Sequence, residues 1–222
     1  MNPLQVLSPS IWNVDHAFRM AGMDLGTRTT VIRLSDGSLV LHAPGEMLPE
    51  QAAAIDALGP VAAIVAPNLF HHLFLGAAHR RWPQAKVYAP PGLKEKVPDL
   101  HIDQVLQPEG ELGAGLHYLL VRGVPKMGEV ILHHPGDKAL VVGDISFNFV
   151  DHPQWWLRTF MTLNGCYGKL GFSRMGRSMV SDQAALRESI ETVRRWDWDA
   201  LSLCHGRTIA SGAKAQFGAI QF

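Results

Sequence analysis

Two adjacent histidines, His71 and His72, follow the apolar run Val61 to Ala66 and its Pro67 stop. An aspartate, Asp144, follows a second apolar run ending at Gly143, and His205 follows a third ending at Cys204. Imidazole and carboxylate are the side chains that zinc, iron and manganese accept, and such ions commonly take three or four of them. Groups far apart along a chain converge on one ion when each sits at the tip of a different strand. Glu129, after Gly128 at the head of another apolar run, is a replacement ligand or a general base in this setting. The plainer expectation for Glu129 is a solvated glutamate at a strand start. Each of the other groups also has a plainer role taken alone. His71 and His72 suit histidines hydrogen-bonded to loop backbone, and Asp144 suits a turn cap.

The elements that must carry these groups alternate between strand and helix. Thr29 to Leu34 and Leu39 to His42 flank an Asp-Gly turn and read as a hairpin. Pro49 to Leu58 has proline at its start, an acid in its first turn and Gly59-Pro60 behind it, so it reads as a helix. Val61 to Ala66, short and bounded by prolines, reads as a buried strand. A helix over Phe74 to Trp82 and a strand over Lys86 to Ala89 follow. In the second half, strands are expected over Leu116 to Val121, Glu129 to His133, Ala139 to Gly143 and Ala200 to Cys204. Ser181 is the expected N-cap of a helix over Asp182 to Trp196. Hairpins interleaved with βα units imply mixed sheets covered by helices, with sites in the loops beyond the strand tips.

Composition removes several classes of function. The chain has 222 residues, 47% hydrophobic and 18% charged, and is expected to form one domain over 1–222. Twenty basic residues balance twenty acidic ones, so no nucleic-acid partner is expected. No apolar run approaches the roughly 18 residues of a membrane span, so no membrane partner is expected. Met1 to Ser10 lacks a basic segment followed by an apolar one, and the two cysteines are too few for a disulfide framework. A cytoplasmic location follows as an expectation. Eleven histidines are the compositional excess.

The order of these pieces resembles the metallo-β-lactamase fold family. The segments that carry the resemblance include Gly26-Thr27-Arg28-Thr29-Thr30-Val31, Ala66-Pro67-Asn68-Leu69-Phe70-His71-His72, Gly143-Asp144 and His205-Gly206. They are similar to an uncharacterised bacterial branch of that superfamily. The resemblance implies an α/β fold, a four-layer αββα sandwich with mixed sheets. In the family the first loop reads His-x-His-x-Asp-His. By that comparison His72 takes the last histidine, His71 the aspartate position, and Pro67 and Leu69 the first two histidines. Pro125 stands where a further histidine is found, Asp144 matches the metal-bridging aspartate, and His205 matches the last histidine. The resemblance therefore implies a degenerate site of one metal at most. One zinc, iron or manganese ion would be held by a subset of His71, His72, Asp144 and His205, with His72 as the first choice and Glu129 or Asp144 assisting catalysis.

Two functional classes remain open. One is a hydrolase-like protein acting on an unknown small molecule through a single ion. The other is a non-catalytic descendant of the fold that binds a small molecule or a protein. Trp155-Trp156 with Phe160 and Met161 suit either core packing or the wall of an apolar pocket. Arg174 and Arg177 suit either an anion contact or a solvated pair. His133-His134 is expected to face solvent, and His16, His42, His79, His101, His117 and His152 are expected to be structural.

Overall fold

The structure is a computed structural model, and it describes residues 3–222. The chain opens with strands β1 (Gln5–Ser8) and β2 (Ile11–His16), a small hairpin of β3 (Arg19–Met20) and β4 (Met23–Asp24), then β5 (Thr27–Arg33) and β6 (Leu39–His42). Helix α1 (Pro49–Asp56) leads to β7 (Val61–Val65), α2 (Leu75–Arg81) to β8 (Lys86–Ala89), and α3 (Leu93–Lys96) to β9 (Gln104–Val105). Strands β10 (Glu109–Glu111), β11 (His117–Leu120), β12 (Val130–His134) and β13 (Ala139–Val142) follow as a meander. Helices α4 (Trp155–Leu163), α5 (Arg174–Ser178) and α6 (Gln183–Arg195) separate β13 from β14 (Ala200–Leu203), and α7 (Ala213–Gly218) ends the fold.

Two sheets stack face to face. One has seven strands in the order β1-β2-β5-β6-β7-β8-β9, the other five in the order β10-β11-β12-β13-β14. Antiparallel hairpins make up part of each, while β6–β7, β7–β8 and β13–β14 are parallel. Both sheets are mixed, as expected.

Strand alternation sorts the apolar side chains into layers. On β6, Val40 points between the sheets and Leu41 points away from them. On β13, Val141 points between them and Leu140 and Val142 point away. The inner set, with Ile32, Val65, Val130 and Leu132, forms one core. Outer residues Val31, Leu41 and Ile64 pack under Ile55 of α1 and Leu75 and Ala78 of α2. Outer residues Leu140, Val142 and Leu201 pack under Leu186, Ile190 and Val193 of α6 and Phe217 of α7. Helix, sheet, sheet and helix give the four-layer αββα sandwich.

The inner layer is not wholly apolar. Ser202 of β14 donates to Asn13 Oδ1 of β2 at 2.7 Å, and its oxygen lies 2.8 Å from Thr30 Oγ1 of β5. This buried link joins the two sheets three residues before His205. Satisfied polar contacts of this kind hold one stacking arrangement, because sliding the sheets would orphan them.

Two local expectations are corrected. The cap of α6 is Asp182, which accepts from the Ala184 and Ala185 amides, not Ser181. His133 and His134 are buried rather than solvent-facing. His133 stacks on Trp196, and His134 Nδ1 accepts from the Asp137 amide at 3.0 Å. No helix among the described residues is long and apolar enough to cross a membrane.

Candidate metal centre

Parallel strands bring β7, β13 and β14 to end on one side of the sandwich. The loop after β7 is shaped by Asn68, whose Oδ1 accepts from the backbone amides of Phe70 and His71 at 2.9 Å each. This turn sends His71 inward. Asp144 stands two residues beyond the end of β13, after Gly143, and His205 stands two residues beyond β14.

His71 Nε2 lies 3.3 Å from Asp144 Oδ1 and 3.1 Å from His205 Nε2, and His205 Nε2 lies 3.5 Å from Asp144 Oδ1. A tetrahedral ion with ligands at about 2.0–2.1 Å has ligand–ligand edges of about 3.3–3.4 Å. The three atoms thus match one face of such a tetrahedron, and all three residues line a cavity of about 570 Å³.

Each donor is oriented from behind. His205 Nδ1 lies 2.6 Å from the carbonyl of Gly26 and donates to it, which leaves the Nε2 lone pair facing the other two groups. The His205 turn is itself clamped by buried Arg28, which bonds the Leu203 and Gly206 carbonyls at 2.9 and 2.8 Å. Asp144 Oδ2 accepts from Asn68 Nδ2 at 3.0 Å, so Oδ1 is the oxygen left to face the two imidazoles.

Glu129 is fully buried, contrary to the expectation of a surface glutamate. Its carboxylate is occupied by Asn68 Nδ2 at 2.9 Å and by the amides of Gly143 and Asp144 at 2.6 and 3.1 Å. It holds the group that holds Asp144, and it is not part of the three-residue face. It does not stand as a ligand or as a free base. Gly143 has no room for a side chain: a Cβ there would lie 2.7 Å from Asn68 Nδ2 and 3.0 Å from a Glu129 oxygen.

His72, the first choice from sequence, turns the other way. Its Nδ1 contacts the Leu69 carbonyl at 3.1 Å, and the same carbonyl accepts from Lys96 Nζ at 2.6 Å. The adjacent residue His71 occupies the site instead.

Charge follows this geometry. Burial pushes Asp144 up, yet His71, His205 and Asn68 together bring it down to about 2. Burial would depress His71, but the Asp144 carboxylate and the bond to it, with Glu129 beyond, raise it. Burial and then the His71 charge drive His205 down to about 4. Burial and the Asp144 charge lift Glu129 to about 7.

His42, expected to be structural, ends β6 beside this group. It is completely buried, neither ring nitrogen has a hydrogen-bond partner among the described residues, and burial with the His71 charge lowers it to about 3. Buried polar atoms are ordinarily paired, so an orphaned imidazole that feels the charges of His71 and Asp144 marks this end of the sandwich as unusual, although its nitrogens are not part of the three-donor cluster. His42 and Asn68 are the residues that sequence reasoning undervalued. The signal for His42 was its position at the tip of a strand neighbouring β7.

A family model described as a domain of unknown function, DUF4336, matches residues 8–94. No curated protein matches the chain by sequence. Solved structures match over almost the whole length. A metallo-β-lactamase from Pontibacter korlensis is 15% identical, with a TM-score of 0.65, covering 97% of this chain and 98% of that one. A metallo-β-lactamase from Hirschia baltica is 11% identical, with a TM-score of 0.66 and coverages of 99% and 98%. The metallo-β-lactamase FIM-1 from Pseudomonas aeruginosa, solved in a mono-zinc form, is 12% identical, with a TM-score of 0.66 and coverages of 97% and 91%. At these identities the likeness is one of fold.

Proposed function

We propose that this chain, which has the metallo-β-lactamase fold, holds one divalent ion on His71, Asp144 and His205 and hydrolyses a small molecule bound in the adjoining cavity. The observation that carries this reading is the mutual spacing of the three donor atoms, 3.1, 3.3 and 3.5 Å. Two imidazoles and one carboxylate with a fourth position open is a donor set that zinc accepts in catalytic sites, and iron and manganese accept similar sets. When bound, such an ion polarises a carbonyl or phosphoryl oxygen and makes a bound water acidic.

The chain's own residues supply the rest. Asp144 is the one carboxylate lining the cavity among the described residues, with Oδ1 turned to the two imidazoles and Oδ2 held by Asn68. The His205 tautomer is fixed by the Gly26 carbonyl, so this imidazole presents a lone pair without reorganisation. Glu129 and Asn68 act as positioning residues, turning Asp144 Oδ1 toward the two imidazole nitrogens. The mono-zinc form recorded for one structural neighbour is a property of that protein; it supports one-ion occupancy of this fold as a reasonable state.

A second reading has its own support. His205 Nε2, His71 Nε2 and Asp144 Oδ1 lie within hydrogen-bond distance in series, so the three groups satisfy one another without an ion. In that case the cavity serves as a binding scaffold. Cobalt(II) titration separates the two readings. Intense visible absorption bands saturating at one equivalent, lost in His205→Ala, support the ion site. No bands beyond those of free cobalt would leave the scaffold reading.

A further inference from the structure

The cavity above the three donors is built from an unusual share of the chain's soft side chains. Six of the eight methionines line it, and five of the nine phenylalanines. Methionine is flexible and polarisable, and surfaces rich in it adapt to apolar ligands of varied shape. Four large apolar residues at the rim, Met20, Phe70, Leu73 and Met175, are exposed by 41% or more, so the mouth as well as the wall is apolar. Exposed apolar patches of this kind mark binding sites.

The polar lining is sparse and mostly committed. Asn164 donates to the Phe160 carbonyl, and Ser173 accepts from the Gly176 amide. Lys96 is the one lysine or arginine in the lining among the described residues, and its ammonium is bound to the Leu69 carbonyl at 2.6 Å. The same ammonium lies 5.2 Å from the centroid of the Phe70 ring. No cluster of cations waits for a carboxylate or phosphate on the body of a ligand, and burying an unpaired charge against methionine and phenylalanine is costly. A volume of about 570 Å³ lies within the range of small-molecule sites, which are mostly apolar with a few polar groups fixing orientation. Here those groups stand together at the floor.

We propose that the occupant of this cavity is a neutral, lipophilic carbonyl compound, such as a medium-chain ester, with its carbonyl end at the His71–Asp144–His205 floor and its apolar body among the methionines. The assignment of that carbonyl as the scissile group rests on the hydrolytic reading above; the assignment of ligand class rests on the cavity alone. In hydrolysis, the oxygen of water adds to the carbonyl carbon and the carbon–oxygen bond to the alcohol breaks. The leaving oxygen takes up a proton, and the products are an alcohol and a carboxylic acid.

Calorimetric titration of the full chain with 2-hexanone, 2-octanone and 2-decanone tests the class without any turnover. Affinity is expected to rise about fourfold per added methylene, the equivalent of about 0.8 kcal/mol each. In Met175→Glu the rise flattens while metal content is unchanged. The anion 9-oxodecanoate, which has the same ten-carbon chain and ketone end but a far-end charge, is expected to bind at least tenfold more weakly than 2-decanone. A series without chain-length dependence, or 9-oxodecanoate binding as tightly as 2-decanone, overturns the proposal. The zinc-loaded protein is then given 4-nitrophenyl octanoate. If the ketone series follows the expected order and the ester is not cleaved, the ligand class stands and the hydrolytic reading falls. Cleavage of the octanoate ester faster than of the acetate supports both.

Discussion

Two places in this molecule gather the same side chains, two histidines and one aspartate, with ligand atoms within 4.8 Å of one another. One is His71, Asp144 and His205; the other is His79, His101 and Asp103. In the first, all three side chains are 14% exposed or less. In the second, His101 and Asp103 are exposed, and the two imidazoles lie flat on each other with centroids 4.5 Å apart. The first has a backbone carbonyl fixing a histidine tautomer and an asparagine and a glutamate aiming the carboxylate. In the second, Asp103 accepts from the Val87 amide and meets His101 at 3.1 Å, and among the described residues no buried group bonds either histidine ring. Composition and proximity are equal; the difference is the set of groups behind the donors. Outer partners of this kind change metal affinity about 10–100-fold, so the proposed metal centre is placed at the braced cluster.

The largest effect that sharpens this contrast is removal of a donor. His205→Ala is expected to weaken zinc binding by more than the roughly 100-fold cost of an outer-partner change, while His101→Ala leaves it unchanged. Competition with a chromogenic chelator reads both. Equal losses in the two variants would break the distinction.

Next comes the bracing itself. Gly143→Ala drives a methyl group onto Asn68 and Glu129, and is expected to cost about 1–3 kcal/mol of stability as an overpacked site, with weaker zinc binding besides. Urea unfolding checks the first and chelator competition the second. Glu129→Gln keeps the shape but sets an amide N–H₂ among three N–H donors, and is expected to lower zinc affinity about 10–100-fold. Unchanged affinity in Glu129→Gln would mean that the buried carboxylate serves packing alone.

The acid response of metal-free protein gives a smaller effect. His42 and His205 are lowered to about 3 and about 4 in the fold, so the unfolded chain protonates them first as pH falls below 6.5. Their contribution to stability is whole above pH 6.5 and is lost toward pH 4 and 3. Glu129, raised to about 7, opposes them: the fold takes up its proton first, which favours folding between about pH 7 and 4.5. Among these three groups, two protons against one leave a net loss of about 1.4 kcal/mol per pH unit over pH 6.5 to 4.5, and His16, His72 and His133, all lowered by burial, act in the same direction. Below that Asp144, held to about 2, adds to the loss. Replacing His42 by Leu should flatten the decline in a series of denaturation curves, because it removes one of the two protons. A steeper decline in that variant would contradict the assignment.

Much of the fold was legible because its signals are local. The Asp-Gly turn between β5 and β6, the prolines around β7, and the apolar spacing of α6 each identify their element within a dozen residues. Helix α4 was less so. Its sequence WWLRTFMTL has no side-chain N-cap, and its aromatic residues read as core or pocket wall; Met161 is in fact both. At the site, the strand-tip positions of Asp144 and His205 were readable from the ends of apolar runs. The choice between His71 and His72 was not, because neighbouring residues point apart and only the Asn68 turn decides which points in. Glu129 was misjudged for a related reason: the donors that make its burial tolerable come from Asn68 and from Gly143 and Asp144, outside its own segment. Sequence shows which residue types are present, while the hydrogen bonds that select among them are long-range.

The central claim is that His71, and not its neighbour, completes the centre with Asp144 and His205. Elemental analysis of wild type, His71→Ala and His72→Ala, each purified without chelator, loaded with zinc and dialysed, tests it most directly. One equivalent in wild type and in His72→Ala, with none in His71→Ala, is the predicted result. Metal retained by His71→Ala and lost from His72→Ala, or absent from wild type, would contradict it.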